Sequence, residues 1–322
     1  MGLDIRTAEF LLHCHRRLSV DYSEVATLGH QRVMLSQSER HRVSNWLGVN
    51  AYDETYADFF LKALGAANPR AIDASRYEGA QIQHNLNAEL APELHGRFSC
   101  LIDGGTLEHV FDIRQSLKSC MQMVRIGGHF IICQMANNCM GHGFYQFSPE
   151  LFYSVLVPTN GYEVRRMYLN ESGVWYQPLS PEEVGDRIQA RTRNETFIFV
   201  AAQRISDVTP FLTPPHQSDY VSNLDESAPD THVLGATQPQ PGLLKRLRRH
   251  AGEFKRKQIY ARMPWLSIPE ERYNRYCYLR ADTLSNRRRF RLIGKRLPVT
   301  IFAAIAVVFE LFEAHRTLLN IG

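Results

Sequence analysis

Between Phe98 and Pro149 the chain concentrates residues able to do acid–base chemistry. Asp103 closes the apolar run FSCLIDGG, and Glu108 and His109 follow the Gly104-Gly105 pair. Further on, His142 stands between Gly141 and Gly143 in NNCMGHGFYQFSP, with Tyr145 and Gln146 just beyond it. An imidazole titrates near neutral pH, so His142 and His109 are the candidates for a proton-accepting catalytic group. Glycines on both sides of a histidine let a loop carry it close to other backbone, and Tyr145 and Gln146 are candidates for lining a substrate pocket. The plainer alternative for each cluster is a turn whose polar side chains satisfy nearby backbone groups.

These residues need elements to position them. Short apolar segments alternate with helix-like ones up to about Ser206, the pattern of an α/β parallel sheet. SEVATLGHQRVML reads as a strand entering a glycine turn, and residues 54–66 carry apolar side chains at helical spacing. RAIDAS and AQIQHNLN read as two further strands. FSCLIDGG, continuously apolar, reads as a buried parallel strand, and Glu108 and His109 are expected to open the helix after it. FDIRQSLKSCMQMVR has helical periodicity, and GGHFIICQMAN returns to strand. Ser148 and Pro149 make a helix start, and YEVRRMYL and TFIFVAAQRI supply an antiparallel finish.

The segment Leu107-Glu108-His109-Val110, directly after an apolar strand ending in Asp103, resembles the fourth-strand motif of class I, Rossmann-like S-adenosylmethionine-dependent methyltransferases. The resemblance covers about two thirds of the chain. It implies an α/β Rossmann-like sheet, mostly parallel with an antiparallel last strand, and S-adenosylmethionine as cofactor. It implies cofactor contacts from Gly29, Asp73, Asn85, Leu86, Asp103, Gly104 and Glu108. Asp73 would take the ribose hydroxyls, and Asn85, where the family more often has Asp, would meet the adenine edge. Gly127-Gly128 resembles the family's turn into its fifth strand. The sequence departs from the family at the first strand, where TLGHQRVM has Gly29 alone and His30 and Gln31 stand in place of small residues. The implied activity is methyl transfer to a small-molecule, glycan or lipid-precursor acceptor at a hydroxyl oxygen. Two other readings follow from the same residues. One is a degenerate member that binds a partner without catalysis. The other is a different nucleotide-cofactor enzyme, against which the absence of GxGxxG after the first strand argues.

Bulk composition is that of a globular protein, with 44% hydrophobic and 22% charged residues. The six cysteines show no CxxC pair and no zinc-type spacing with histidine, so reduced buried thiols are expected, and no metal. The N-terminal segment is a poor secretory signal, and a cytoplasmic location is expected. Charge is uneven: residues 1–242 carry 19 Lys+Arg against 27 Asp+Glu, whereas residues 243–322 carry 18 against 6. The expected organisation is a methyltransferase domain over 1–206, a flexible Pro- and Ser-rich linker over 207–242, and a basic helical C-terminal extension over 243–322. Its last apolar run, Leu297 to Phe309, is shorter than the ~20 residues that cross a bilayer. Cations before an apolar helix suggest peripheral contact with an anionic inner membrane surface. No nucleic-acid-binding signature is present, and that partner is not expected.

Overall fold

The computed structural model describes residues 2–221, apart from 52, 185, 186 and 189, together with one strand at 278–281. Five parallel strands form one side of the sheet: β1 (Val25–Leu28), β2 (Arg70–Asp73), β3 (Ile82–Gln83), β4 (Phe98–Asp103) and β5 (Val124–Asn137). The rest comprises β6 (Tyr162–Glu171), β7 (Val174–Pro178), β8 (Thr196–Arg204) and β9 (Tyr278–Ala281). The spatial order is β3-β2-β1-β4-β5-β8-β6-β7-β9. Strand β8 lies antiparallel between β5 and β6, giving the expected reversed finish. The order changes direction between β1 and β4, and such a switch point opens a crevice at the carboxyl ends of its strands. Leu28 lies opposite Asp103 there.

Side chains leaving the central strands alternate between two cores. Cys100, Ile102, Ile131, Cys133 and Phe199 pack on one face, beneath α1 (Ile5–Leu18) and α3 (Asp58–Ala63). Leu101, Phe130, Ile132, Ile198 and Val200 pack on the other, against α4 (Ile113–Met123) and α5 (Pro149–Val155). Cys14, Cys100, Cys120, Cys133 and Cys139 are free and buried, as expected of core thiols, and Cys277 lies outside the described residues.

The helices start where capping chemistry is available. Asp4 accepts the Thr7 N–H at the head of α1, and Ser148 accepts the Leu151 N–H at the head of α5, with Pro149 in the first turn. Between them α2 (Gln37–Leu47) opens with a reciprocal Ser36–Glu39 capping box. The helix after β4 begins later than expected. Leu107–His109 form a separate 3₁₀ turn, and α4 opens at Ile113 because Asp112 accepts the Gln115 N–H. Strands β6 and β7 form a hairpin whose two turn residues, Ser172 (φ 50°) and Gly173 (φ 81°), both have positive φ, as a tight hairpin requires.

Two features revise the expected boundaries. The segment read as a linker from residue 207 starts by packing on the domain. Phe211 is buried and donates its N–H to Asn160, and Ser218 donates both its N–H and its hydroxyl to the buried Glu150 carboxylate. Phe211, Leu212 and Tyr220 have no periodic spacing in this polar, Pro-rich stretch, which made the signal too weak to show this. In the stretch read as a helical extension, Tyr278–Ala281 is a strand paired with β7. The remainder of 222–322, including the final apolar run, lies outside the described residues. Among the described residues no helix is long and apolar enough to cross a membrane.

Trp175 anchors β7: it is buried, lies 4.8 Å from the Phe199 ring centroid, and donates from Nε1 to Glu9. Trp175→Ala is expected to lower unfolding free energy by about 3–5 kcal/mol, measured by urea denaturation. A loss below about 1 kcal/mol would mean that this hairpin is not part of the cooperative core.

Candidate active site

The crevice at the ends of β1 and β4 is lined mainly by the chain's own polar groups. Gly29 turns out of β1 with φ 69° and donates its N–H to Ile72 O. Next comes His30, whose ring stacks on Tyr56 at 3.7 Å and bonds through Nδ1 to Glu78 O and through Nε2 to Asp58, each at 2.7 Å. Gln31 lies across the crevice. Its Nε2 donates to Leu28 O at 2.5 Å, and its Oε1 is buried without a partner. The side chain rests on Gly104, where any Cβ would collide with it. The larger residues that replace the family's small ones therefore pack inward.

Asp73 ends β2 as expected, half-buried. Its Oδ1 accepts the Ser75 N–H and hydroxyl, and its Oδ2 accepts no hydrogen bond among the described residues. Asn85 is exposed beyond β3, with Oδ1 turned onto Asn87, while Leu86 is buried and accepts the Ser116 hydroxyl at its carbonyl. Strand ends thus bring Gly29, Asp73, Asp103 and Gly104 to one edge of the sheet. Asp103 is fully buried: Oδ1 accepts the N–H groups of Thr106 and Leu107, and Oδ2 accepts Gln134 Nε2. Burial first, and the neighbouring Glu108 charge second, push the Asp103 carboxyl up to about 7. Gln134 Oε1 has no partner, so turning this amide would let it accept a proton held on Asp103.

The second cluster folds onto the first. The loop 137–147 is held to the turn after β4 because Phe144 and Tyr145 both donate their N–H groups to Glu108 O. Gly143, at φ 75°, sits so close to the Glu108 backbone that a Cβ would overlap it, which is why glycine follows His142. The fold brings His109 and His142 together, ring centroids 5.1 Å apart, each with Nε2 3.7 Å from Glu108 Oε1. Glu108 is fully buried, and neither of its carboxylate oxygens makes a hydrogen bond. Both histidines are partly open to solvent. Tyr145 donates its hydroxyl to Phe111 O, and Gln146 Oε1 accepts the Cys139 N–H, so both side chains brace the loop. The exposed rings of Phe111 and Phe144 meet edge to face at 5.8 Å beside the histidines. The sequence reading missed this aromatic rim; two phenylalanines 33 positions apart become neighbours only when the loop closes.

The mostly parallel sheet with β8 running the other way is the arrangement that the resemblance to class I methyltransferases implies. No protein-family model matches the chain, and no curated protein does. Among solved structures, the chain is similar to the 1,6-didemethyltoxoflavin-N1-methyltransferase of Burkholderia thailandensis, solved with its substrate and S-adenosylhomocysteine. Identity is 13%, coverage 63% of this chain and 78% of that one, and TM-score 0.35. An S-adenosylmethionine-dependent methyltransferase from Mesorhizobium loti is 13% identical, with 61% and 98% covered and TM-score 0.34. A methylating domain of the citrinin polyketide synthase is 12% identical, with 63% and 52% covered and TM-score 0.34. The fold assignment rests on the strand order.

Because the folded state keeps Asp103 protonated well above the ~3.9 of an unfolded aspartate, its contribution to stability is complete below pH 4 and lost as pH rises to 7. Asp103→Asn should remove that dependence. Relative to this variant, the wild type should lose up to about 4 kcal/mol of stability between pH 4 and 8, read from urea unfolding at each pH. Parallel curves for the two proteins would show that Asp103 ionises normally in the fold.

Proposed function

We propose that the chain is an S-adenosylmethionine-dependent methyltransferase acting on a hydroxyl of a small-molecule, glycan or lipid-precursor acceptor. The observation that supports this reading is one edge of the sheet that carries the Asp73 carboxylate at the end of β2 and, after β4, His109 with His142 brought beside it by the loop following β5. The residues present fit the cofactor at two places. Asp73 Oδ2, which accepts no hydrogen bond among the described residues, can accept from ribose hydroxyls at the end of β2. Gln31 Oε1, a buried acceptor with no donor, can take the ammonium of the methionine portion once the side chain shifts off Gly104.

When bound, the cofactor supplies an electrophilic methyl group on a sulfonium. The chain's part is placement and proton removal. In-line attack depends chiefly on holding the acceptor oxygen against that methyl group, and effective molarities from such positioning are large. Phe111 and Phe144 offer an apolar edge on which an acceptor ring or chain can lie. His142, with His109 beside it, can accept the hydroxyl proton as the new oxygen–carbon bond forms. The buried Glu108 side chain lies 3.7 Å from His142 Nε2, on the protein side of the ring.

One observation favours a second reading. Gln31 and His30 fill the space that a glycine-rich turn would leave open, as a partner-binding protein that has lost its cofactor would show. Calorimetry separates the two. S-adenosylmethionine or S-adenosylhomocysteine is expected to bind at a single site, and Asp73→Ala to weaken binding about 10- to 100-fold, the effect of losing one or two charge-assisted hydrogen bonds. Absence of heat with either compound, in a protein that melts cooperatively, would leave the binding-protein reading standing.

A further inference from the structure

We infer that Glu108, His109 and His142 form a binding site for a divalent transition-metal cation, of which Zn²⁺ is the simplest example. Each residue offers one ligand atom, and the three atoms lie within 4.8 Å of one another. The two distances from Glu108 Oε1 to the imidazole Nε2 atoms are both 3.7 Å. That is too long for a hydrogen bond. It is close to the ~3.4 Å that separates two ligands sharing a tetrahedral zinc at ~2.0–2.1 Å. The third separation, between the two imidazole ligand atoms, is within 4.8 Å, so turning the two partly exposed rings toward each other by up to about 1.4 Å would complete the geometry.

The carboxylate is the second, independent observation. Glu108 is fully buried, neither oxygen has a hydrogen-bond partner, and Oε1 faces both imidazoles. A buried charge without donors is costly, and buried charges in proteins are characteristically paired or bound to metal. The neighbouring carboxyl, Asp103, has three donors; Glu108 has none. The backbone around Glu108 is nevertheless fixed, since its carbonyl receives two N–H groups from the loop that carries His142. Carboxylate and loop histidine are thus preset relative to each other before any ion arrives.

Two imidazoles and one carboxylate suit Zn²⁺ and Fe²⁺ in preference to Mg²⁺ or Ca²⁺, which favour oxygen ligands. Three protein ligands leave a fourth position, and it points to solvent because both histidines are partly open. An open fourth position is the arrangement of catalytic zinc, where a bound water or hydroxyl loses its proton near neutral pH. With an ion in place the two histidines would be its ligands, so the proton-accepting role given to His142 above belongs to the metal-free chain. The metal site does not depend on the crevice binding an adenosyl cofactor.

The test uses the full chain with any affinity tag removed, stripped with chelator and titrated with Zn²⁺ and with Co²⁺. The expected result is one ion per chain, visible d–d absorption of bound Co²⁺ at four-coordinate intensity, and a rise in melting temperature with Zn²⁺. In His109→Ala/His142→Ala, affinity should fall by more than about tenfold and the cobalt spectrum should vanish. The variant's own metal-free melting temperature should stay near that of the wild type, since both side chains are surface-facing. Equal binding by the wild type and the double variant, or none by the wild type, would overturn the site. Metal binding without adenosyl binding would reject the function proposed above and leave the metal site intact, and the converse result would do the opposite.

Discussion

The parallel pairing of β1 with β4 fixes almost everything of chemical interest in this protein. It puts Leu28 opposite Asp103, so the turns leaving both strands share one crevice. Gln31 and Thr106 both donate to Leu28 O, tying the two turns through a single carbonyl. The turn after β4 in turn presents Glu108 O to the loop following β5, which brings His142 beside His109. A slip of β4 by one residue would exchange its two faces and pull Asp103 out of the core.

Much of this was legible in the residues. Continuous apolar runs gave β4 and β5, the Ser148-Pro149 pair gave α5, and YEVRRMYL and TFIFVAAQRI gave the reversed finish. What escaped had weaker or misdirected signals. Helix α1 was weighed only as a leader segment, although its Asp4 cap and its Phe10, Leu11 and Cys14 face are those of a core helix. Helix α2 had a readable Ser36–Glu39 capping box but only Val43 fully buried, so its hydrophobic pattern was faint. Strand β7 was overlooked because it is five residues long, though Ser172-Gly173 marked its hairpin.

The site was legible by member and not by arrangement. Asp103, Glu108, His109 and His142 stood out as candidates by residue type, and Asp73 was implied by the family resemblance. Their convergence was not, because His142 follows His109 by 33 positions and the contact depends on Gly143 fitting against Glu108. Gln146, a polar residue on the same loop, accepts the Cys139 N–H and so ties the loop to itself. The crevice also reads differently once packed. His30 and Gln31 looked like obstacles in the sequence, yet they make a specific network with Tyr56, Glu78, Asp58 and Leu28.

The Glu150 carboxylate gathers three separate stretches of chain at the head of α5. It accepts the N–H and the hydroxyl of Ser218 and, through its other oxygen, the N–H of Ile188. Ordering a residue costs roughly 1–2 kcal/mol of backbone entropy, so a stretch held by so few contacts opens more readily than the sheet it rests on. Loss of this one carboxylate would therefore loosen the segments around Ile188 and Ser218 together while the strands stayed paired.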